Sequence, residues 1–383
     1  MADAAGTKRR VLIAADKFKG SLTAAAVARH LTAGLLRAAP GLDVRALPVA
    51  DGGDGVADAA FAAGFERREA RVTGPLGAPV TAAYALRGDG TAVVEMAEAS
   101  GLRHAGTPAP LTATTHGTGE LLRAALDAGA RTVVLGVGGS ATTDGGAGML
   151  TALGARFLGP AGRPLPPGGG PLAELATADL SGLDPRLRDT ALVLASDVDN
   201  PLTGPTGAPA VYGPQKGATP ADVAALDAAL THYARVLART AGPHATDLAR
   251  APGAGAAGGL GYGALLGLGA VFRPGIEVML EVLGFEAALD RADLVITGEG
   301  SLDAQTLHGK APAGVAAAAR KRDVEVVAVC GRVSLDEERL REAGITRAYA
   351  LTDLEPDVSR CVSEAGPLLE RVAVRLAADF QLT

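Results

Sequence analysis

Short apolar runs rich in β-branched residues recur near both ends of the 383-residue chain and alternate with Ala-rich and Leu-rich stretches. This alternation is typical of a parallel sheet whose strands are connected by helices. Five of these runs predict buried parallel strands, at residues 10–15, 44–49, 292–299, 324–331 and 345–352. Because two lie near the start and three near the end, we predict one sheet built from both ends of the chain.

The middle of the chain has apolar runs of its own, YALRGDGTAVVEMAEA, TVVLGVGG and ALVLASDV. The length of the chain also favours two domains. We therefore predict a discontinuous α/β domain of residues 1–74 and 288–383, with an inserted α/β domain of residues 75–287. The Pro- and Gly-rich segment 159–171 predicts a surface loop.

One segment, residues 251–272, carries no charge and is long enough to cross a bilayer. Eight of its positions are glycine, which disfavours a membrane helix. We interpret it as a buried Gly-rich loop that leads into a helix.

Composition excludes several classes of partner. The net charge of −6, the 3% aromatic content and the absence of Trp oppose nucleic-acid binding. Two cysteines and an N-terminus without an apolar run favour a cytoplasmic protein without a membrane partner. The oligomeric state stays open, with a homodimer among the alternatives.

The stretch GVGGSATTDGGAGML, residues 136–150, follows an apolar run and precedes a helical one. Glycine backbone in such a place can bind an anion, because no Cβ blocks the N–H groups. The alternative is a tight left-handed turn with ordinary caps. No Walker-type loop is present, and GAGAAG at 253–258 follows no strand, so we interpret its match to the dinucleotide fingerprint as accidental.

Lysine is rare in this chain. Only six of the 36 basic residues are lysines, and four of the six fall in Gly-rich polar clusters: Lys17, Lys19, Lys216 and Lys310. A compact ammonium group beside Gly-rich backbone suits phosphate oxygens. The alternative is chance retention at the surface.

Acidic residues gather at or just beyond the ends of predicted strands, where ligands bind in open α/β sheets. They are Asp16, Asp51, Asp54, Asp144, Asp197, Asp199, Glu299 and Asp303. Carboxylates without His or Cys partners favour a hard cation such as Mg²⁺. Some of these acids are expected to be helix caps instead. His116 and His308 are weaker candidates for catalysis.

Seven motifs then follow in order between residues 16 and 312: DKFKGSLTA, PVADGGDG, EMAEASGL, THGTGEL, GVGGSATTDGGAGML, DVDNPLTGPTGAPAVYGPQKGA and GEGSLDAQTLHGKAP. Together they resemble the bacterial type 1 glycerate kinase family over nearly the whole chain. One departure is Ala15, where that family is expected to have a proline; this should alter loop stiffness more than chemistry.

The resemblance implies ATP-dependent phosphorylation of D-glycerate, at the 2-hydroxyl, to give 2-phosphoglycerate. It also implies two α/β domains, one flavodoxin-like or Rossmann-like and the other an inserted mixed α/β domain, with the active site in the cleft between them. The alternatives are transfer to the 3-hydroxyl, a kinase or phosphatase for another small hydroxy acid, and a non-enzymatic sugar-acid sensor.

Roles follow from the needs of phosphoryl transfer, which are positioning, charge neutralisation and a base near the attacking hydroxyl. Asp197 is the predicted general base, and Asp51 and Asp54 are the predicted Mg²⁺ ligands. Glu299 and Asp303 compete with them for either role. Lys17 and Lys310, which approach the phosphates, complete the predicted catalytic set with Asp197 and Asp303. The other groups predicted to bind ATP phosphates or the glycerate carboxylate are Lys19, Ser21, Gly138, Gly139, Ser140, Lys216 and Glu299.

Overall fold

The computed structural model describes residues 9–382, apart from the side chain of His308. In chain order its strands are β1 (Arg10–Ala15), β2 (Asp43–Ala46), β3 (Glu66–Thr73), β4 (Pro79–Leu86), β5 (Thr91–Glu95), β6 (Thr132–Gly136), β7 (Arg156–Leu158), β8 (Thr177–Asp179), β9 (Ala191–Ala195), β10 (Val271–Arg273), β11 (Leu294–Gly298), β12 (Ser301–Leu302), β13 (Glu325–Cys330), β14 (Arg332–Val333) and β15 (Arg347–Ala350).

The α-helices are α1 (Ala24–Ala38), α2 (Val56–Ala62), α3 (Ala97–Ser100), α4 (His116–Asp127), α5 (Ala147–Ala152), α6 (Ala208–Tyr212), α7 (Pro220–Ala241), α8 (His244–Leu248), α9 (Ala256–Gly267), α10 (Gly275–Val282), α11 (Phe285–Leu289), α12 (Ala311–Arg320), α13 (Glu337–Glu342), α14 (Val358–Ser363) and α15 (Ala365–Asp379).

The chain divides into two compact units. The terminal unit contains the chain up to Asp51, Asp58–Ala63 and the chain from Ile276 onwards, and the inserted unit contains Gly52–Ala57 and Gly64–Gly275. Two of the predicted boundaries are therefore wrong. Residues 64–74 include β3, which pairs with β4 of the inserted unit, and residues 276–287 belong to the terminal unit.

The terminal unit is built on a five-stranded sheet in the order β15-β13-β11-β1-β2, and every neighbouring pair is parallel. Numbered along the chain, this order is 2-1-3-4-5, which is the flavodoxin-like arrangement. The order reverses between β1 and β11, and ligands of such sheets bind outside the carboxyl ends of the strands at that point. The flavodoxin-like prediction is confirmed.

Strand β2 is shorter than the predicted run 44–49, because it lies at the sheet edge and Pro48 interrupts it. The chain nevertheless continues alongside β1. The N–H of Leu47 donates to the Ile13 carbonyl at 2.8 Å, and the N–H of Val49 donates to the Ala15 carbonyl at 3.1 Å. These bonds carry the chain to the carboxyl end of β1, where Asp51 follows.

The inserted unit has a six-stranded mixed sheet in the order β10-β9-β6-β5-β4-β3. The four strands from β10 to β5 are parallel, and the β5/β4 and β4/β3 pairs are antiparallel. The mixed α/β prediction for this unit is confirmed. The three predicted runs in the middle of the chain form β4 with β5, β6 and β9.

The uncharged segment 251–272 enters α9, whose residues from Ala256 to Ala264 are all buried, as the interpretation expected. Across the described range 9–382, no helix is both long and apolar enough to cross a membrane. Gly258 has φ +71°, and a Cβ there would lie 1.9 Å from the Thr142 carbonyl oxygen. Ala257, Gly258 and Gly259 have left-handed dihedrals that kink the start of α9, and GAGAAG follows helix α8 rather than a strand, which agrees with an accidental match to the dinucleotide fingerprint.

Candidate active site

Acidic residues of the terminal unit meet where its strand order reverses. Asp16 follows the last residue of β1 and Glu299 follows the last residue of β11, and those last residues, Ala15 and Gly298, are paired neighbours in the sheet. Asp51 lies close enough for its charge to act on Asp16. The structure thus brings three of the predicted acids to one sheet edge.

Asp16 is buried, with 8% of its surface exposed. Burial first, and then the negative charges of Asp51 and Glu299, raise the pKa of its carboxyl to about 7. The Lys17 backbone N–H donates to Asp16 Oδ1 at 2.6 Å, and this hydrogen bond lowers the pKa of Asp16. Sequence reasoning placed Asp16 among the strand-end acids but gave it no role.

Glu299 is held by two neighbours. The Thr306 hydroxyl donates to Oε1 at 2.5 Å, and Lys310 Nζ lies 3.6 Å from Oε2. Burial raises the pKa of Glu299, whereas the Thr306 hydrogen bond and the Lys310 charge lower it. Lys310 immediately precedes α12, so its ammonium group stays at the carboxyl end of β11. Thr306 is fully buried, and sequence reasoning missed it because a single Thr in a Gly-rich loop gives no distinguishing signal.

Asp303 and Ser21 have local structural tasks. Asp303 Oδ1 accepts the Gln305 N–H at 2.9 Å, as in a capped turn. The Ser21 hydroxyl donates to the Val362 carbonyl at 2.5 Å. Lys19 is exposed and Lys17 half-buried in the same loop after β1. The phosphate-binding roles of Ser21 and both lysines stay predictions, and the Ser21 contact does not favour its role.

In the inserted unit, residues 52–55 of ADGGDG and the GVGGS motif pack against each other at the carboxyl end of β6. The Val137 N–H donates to the Gly52 carbonyl at 3.2 Å. A Cβ at Gly138 would lie 2.5 Å from the Cα of Gly53, and one at Gly139 would lie 2.1 Å from Asp54 Oδ1. These glycines are therefore required by a close approach of two loops, a reason independent of any bound anion.

Glu95, the last residue of β5, supports the ADGGDG loop. Its buried Oε2 accepts the N–H groups of Gly55 at 2.9 Å and Ala57 at 3.4 Å. Burial raises the pKa of Glu95 to about 7, with a further contribution from Asp54. Sequence reasoning missed this residue, although an acid that ends the apolar run TAVVE was a visible signal.

Asp197 follows β9 at the same end of this sheet. Its Oδ1 accepts the Gly275 N–H at 2.8 Å. Gly52 lies beside it, because a Cβ on Gly52 would come within 3.0 Å of the Ala195 carbonyl oxygen and 2.8 Å of the Gly275 Cα. The inserted unit thus brings Asp197, Gly138 and the loop of Asp54 to one sheet end.

Asp144 and Lys216 lie in the interior. Asp144 is fully buried and accepts the Thr115 N–H at 2.8 Å, the Thr115 hydroxyl at 2.9 Å and the Gly148 N–H at 3.2 Å. Lys216 Nζ donates to the Thr142 carbonyl at 2.6 Å, and burial lowers the pKa of its ammonium to about 7. This position does not favour the predicted ATP-binding role of Lys216. Ser140 is also buried, and it pairs with Gly101.

The predicted acids have the donor chemistry that the expected Mg²⁺ requires. Within residues 9–382 no three His, Cys, Asp or Glu side chains are grouped tightly enough to hold a metal ion. Mg²⁺ is usually held by one or two carboxylates together with substrate phosphates, so a pre-built cage is not required. The predicted ligands Asp51 and Asp54 offer carboxylate oxygens, as do Asp16 and Glu299, and oxygen donors without His or Cys among them fit that ion. Of the two candidate histidines, His116 has its Nε2 3.6 Å from Oε1 of Glu120. The side chain of His308 lies outside the described residues.

Comparison with known proteins supports a kinase. The sequence model described as "Glycerate kinase family" matches residues 11–381. The chain is 47% identical to "Glycerate kinase" of Bacillus subtilis (strain 168), over 97% of this chain and 98% of that one. It is 44% identical to "Glycerate 2-kinase" of Escherichia coli (strain K12), over 89% of this chain and 90% of that one.

The fold has a match among solved structures as well. A crystal structure of a protein provisionally named glycerate kinase 2, from Salmonella typhimurium LT2, superposes with a TM-score of 0.83 at 43% identity, covering 98% of this chain and all of that one. Fold, site and relatives define the class as phosphotransferases that use ATP and an alcohol acceptor. Within that class, the chain belongs to the glycerate kinase family.

Proposed function

We propose that this protein is a type 1 glycerate kinase that transfers the γ-phosphoryl group of ATP to the 2-hydroxyl of D-glycerate, releasing ADP and 2-phosphoglycerate. Family membership over residues 11–381 supports the reaction, and the name of the Escherichia coli relative supports the 2-position. The observation that carries the proposal is the group of acids and lysines at the strand-order reversal of the flavodoxin-like sheet. Sites at that position bind anionic ligands in related folds.

Charge neutralisation is the main task of a protein that catalyses phosphoryl transfer. Lys310 is the best-placed cation, because α12 fixes its backbone and Glu299 fixes its ammonium group at the strand end. An incoming phosphate oxygen would compete with Glu299 for that ammonium. Lys17 is a second cation of the same edge, directly after Asp16 in the chain.

Mg²⁺ bound with ATP would neutralise phosphate charge and orient the terminal phosphoryl group. We propose Asp51 and Asp54 as its ligands, as the sequence suggested. Asp54 is set in place by Gly139, which leaves room for its carboxylate, and by Glu95, which holds the following N–H groups.

Proton removal from the glycerate hydroxyl needs a carboxylate whose orientation is fixed. We retain Asp197 for this role, because the Gly275 N–H fixes its Oδ1 at the end of β9. Asp16 is a stronger rival than Asp303, because Asp303 caps a turn whereas Asp16 lies at the strand-order reversal. We also propose that the reaction takes place in the cytoplasm, where ATP is available and where the two free, buried cysteines would stay reduced.

A phosphorus NMR time course with ATP, Mg²⁺ and D-glycerate tests the reaction. A phosphate on C2 couples to one proton and gives a doublet, whereas a phosphate on C3 couples to two and gives a triplet. A growing doublet with loss of ATP is expected. A triplet would overturn the 2-position, and ATP that stays intact in the presence of D-glycerate would overturn the acceptor; a panel of small hydroxy acids would then identify it.

A further inference from the structure

The inserted unit contains a large pocket that no predicted role uses. Its volume is about 760 Å³, within the range of small-molecule sites. Its lining includes the turn between β3 and β4, the segment 109–114 before α4, the start of α4, helix α5, residues 155–158 around β7, and the Pro-rich loop 164–168. We call it the α4–α5 pocket.

The lining of this pocket suits a neutral ligand. Its walls are mostly apolar, with contributions from Pro75, Leu76, Phe157, Leu165 and Pro166. Four threonines and His116 are also part of the lining.

Charge argues against a small acid in the pocket. Among the described residues that line it, Arg156 is the one permanently charged side chain, and its Nη2 bonds Asp179 at 2.5 Å. A three-carbon acid such as glycerate would gain no other fixed cation there and would leave most of the volume unfilled. A purine with its ribose is larger and neutral, and therefore matches both the volume and the lining.

The pocket walls are locked in place before any ligand arrives. Asp144 accepts hydrogen bonds from Thr115, just before α4, and from Gly148 in α5, so one buried carboxylate joins the two helix starts. Gly148 packs so closely that a Cβ there would lie 2.2 Å from Thr114 Oγ1. A preformed cavity avoids the cost of ordering its walls on binding.

Chain continuity connects this pocket to the predicted phosphate-binding backbone. The loop that leaves β6 begins with Gly138, Gly139 and Ser140 and ends at Gly146, from which α5 continues into the pocket wall. The predicted phosphate-binding loop and one wall of the pocket are therefore consecutive in the chain.

We propose that the α4–α5 pocket binds the adenosine part of ATP, an inference that rests on the proposed kinase function. Thr151 supplies a direct test. It is an exposed residue of α5 that lines the pocket, and a tryptophan there would fill the space of the base. Thr81, an exposed residue of β4 outside the pocket, provides the matched control.

The experiment compares Thr151→Trp and Thr81→Trp with the unmodified protein. The measurements are KM for ATP, KM for D-glycerate, and Kd for ADP from isothermal titration calorimetry. We expect Thr151→Trp to raise KM for ATP and Kd for ADP by about tenfold or more, with KM for D-glycerate within about twofold. Thr81→Trp should leave all three values within about twofold.

An unchanged KM for ATP and Kd for ADP in a folded Thr151→Trp would overturn the inference. A rise in KM for D-glycerate alone would also overturn it, because the pocket would then bind the acceptor. If Thr151→Trp does not fold, Leu76→Trp at the exposed rim tests the same prediction. The two proposals fail separately. If the unmodified protein does not phosphorylate glycerate but Thr151→Trp loses ADP binding, the adenosine site is supported and glycerate is overturned as the acceptor. If the protein phosphorylates glycerate but Thr151→Trp leaves KM for ATP and Kd for ADP unchanged, the reaction is supported and the adenosine site is overturned.

Discussion

The buried hydroxyl of Thr306 donates to the carboxylate of Glu299 across 2.5 Å. The hydroxyl oxygen of Thr306 also accepts the Asp303 N–H at 3.0 Å. The Thr306 side chain therefore connects the turn after β12 to Glu299, which follows β11. Thr306 therefore fixes the carboxylate that in turn holds Lys310.

Replacing Thr306 tests this positioning role. Thr306→Val keeps the shape but removes the hydroxyl, so we expect kcat to fall by about tenfold and the free energy of unfolding to fall by about 1–2 kcal/mol. Thr306→Ser restores the hydroxyl and should recover most of kcat. Full kcat in Thr306→Val, measured beside a normal denaturation curve, would show that Glu299 needs no such support.

Lys310 and Lys321 flank the same helix, α12, and form a matched pair. Lys310 lies 3.6 Å from Glu299 at the strand end, whereas Lys321 is exposed at the other end of the helix. We expect Lys310→Ala to lower kcat/KM for ATP by about 10²-fold, because a cation beside the phosphates is lost. Lys321→Ala should stay within about twofold in the same steady-state assay. Equal effects of the two changes would contradict a specific role for Lys310.

The fold was largely predictable because buried strands leave an apolar run in the sequence. All five predicted strands of the terminal sheet are present, from β1 to β15. Strand β3 was missed because it is an edge strand, and its sequence ERREARVT exposes most of its side chains. Its pairing with β4, eight residue pairs long, moves the domain boundary and could not be inferred from polarity.

The site was predictable only in part. The rule that strand ends carry the acids of a site needs only the strands, and it indicates Asp16, Asp51 and Glu299, but it also indicates Asp144, which lies in the interior. The reason for a glycine or a lysine depends instead on residues far away in the chain. Gly139 is glycine because Asp54 lies beside it, and Lys216 lies in the interior although its sequence surroundings look like a surface loop.

Gly139 and Gly162 allow the effect of the close approach between Gly139 and the Asp54 carboxylate to be separated from the effect of backbone strain. Both have φ +69°, so an alanine at either position pays about 1–2 kcal/mol for the left-handed conformation. Only at Gly139 would the new Cβ meet a side chain, since Gly162 has no atom within 4 Å of that point. We expect Gly139→Ala to raise the Mg²⁺ concentration for half-maximal activity by about tenfold, whereas Gly162→Ala should not change it. The same Mg²⁺ titration curve in both variants would remove Asp54 from the proposed metal site.

Asp197 and Asp199 test the assignment of the general base. Asp197→Asn keeps an oxygen that can accept the Gly275 N–H but cannot take a proton, so turnover should fall by about 10²-fold or more with KM for ATP nearly unchanged. Asp199 is exposed two residues further on, and Asp199→Asn should leave turnover within about twofold. A fully active Asp197→Asn would transfer the role to Asp16, for which Asp16→Asn would be assayed next.

Glu95 predicts a pH dependence of stability. Its pKa is about 7 in the folded protein and near 4.5 in the unfolded chain, so the folded state holds the proton more tightly. The stabilisation that protonated Glu95 adds to the free energy of unfolding is therefore fully present below pH 4.5. It is lost as the pH rises through about 7, by up to about 3 kcal/mol.

The variant Glu95→Gln tests this dependence. It resembles the protonated form and still offers an oxygen to Gly55, so its free energy of unfolding should equal that of the unmodified protein near pH 4.5 and exceed it at pH 8. Denaturant unfolding at several pH values measures the difference, with exposed Glu174→Gln as the control. Curves for Glu95→Gln and the unmodified protein that stay parallel from pH 4.5 to 8 would mean that Glu95 is ionised in the folded state despite its burial.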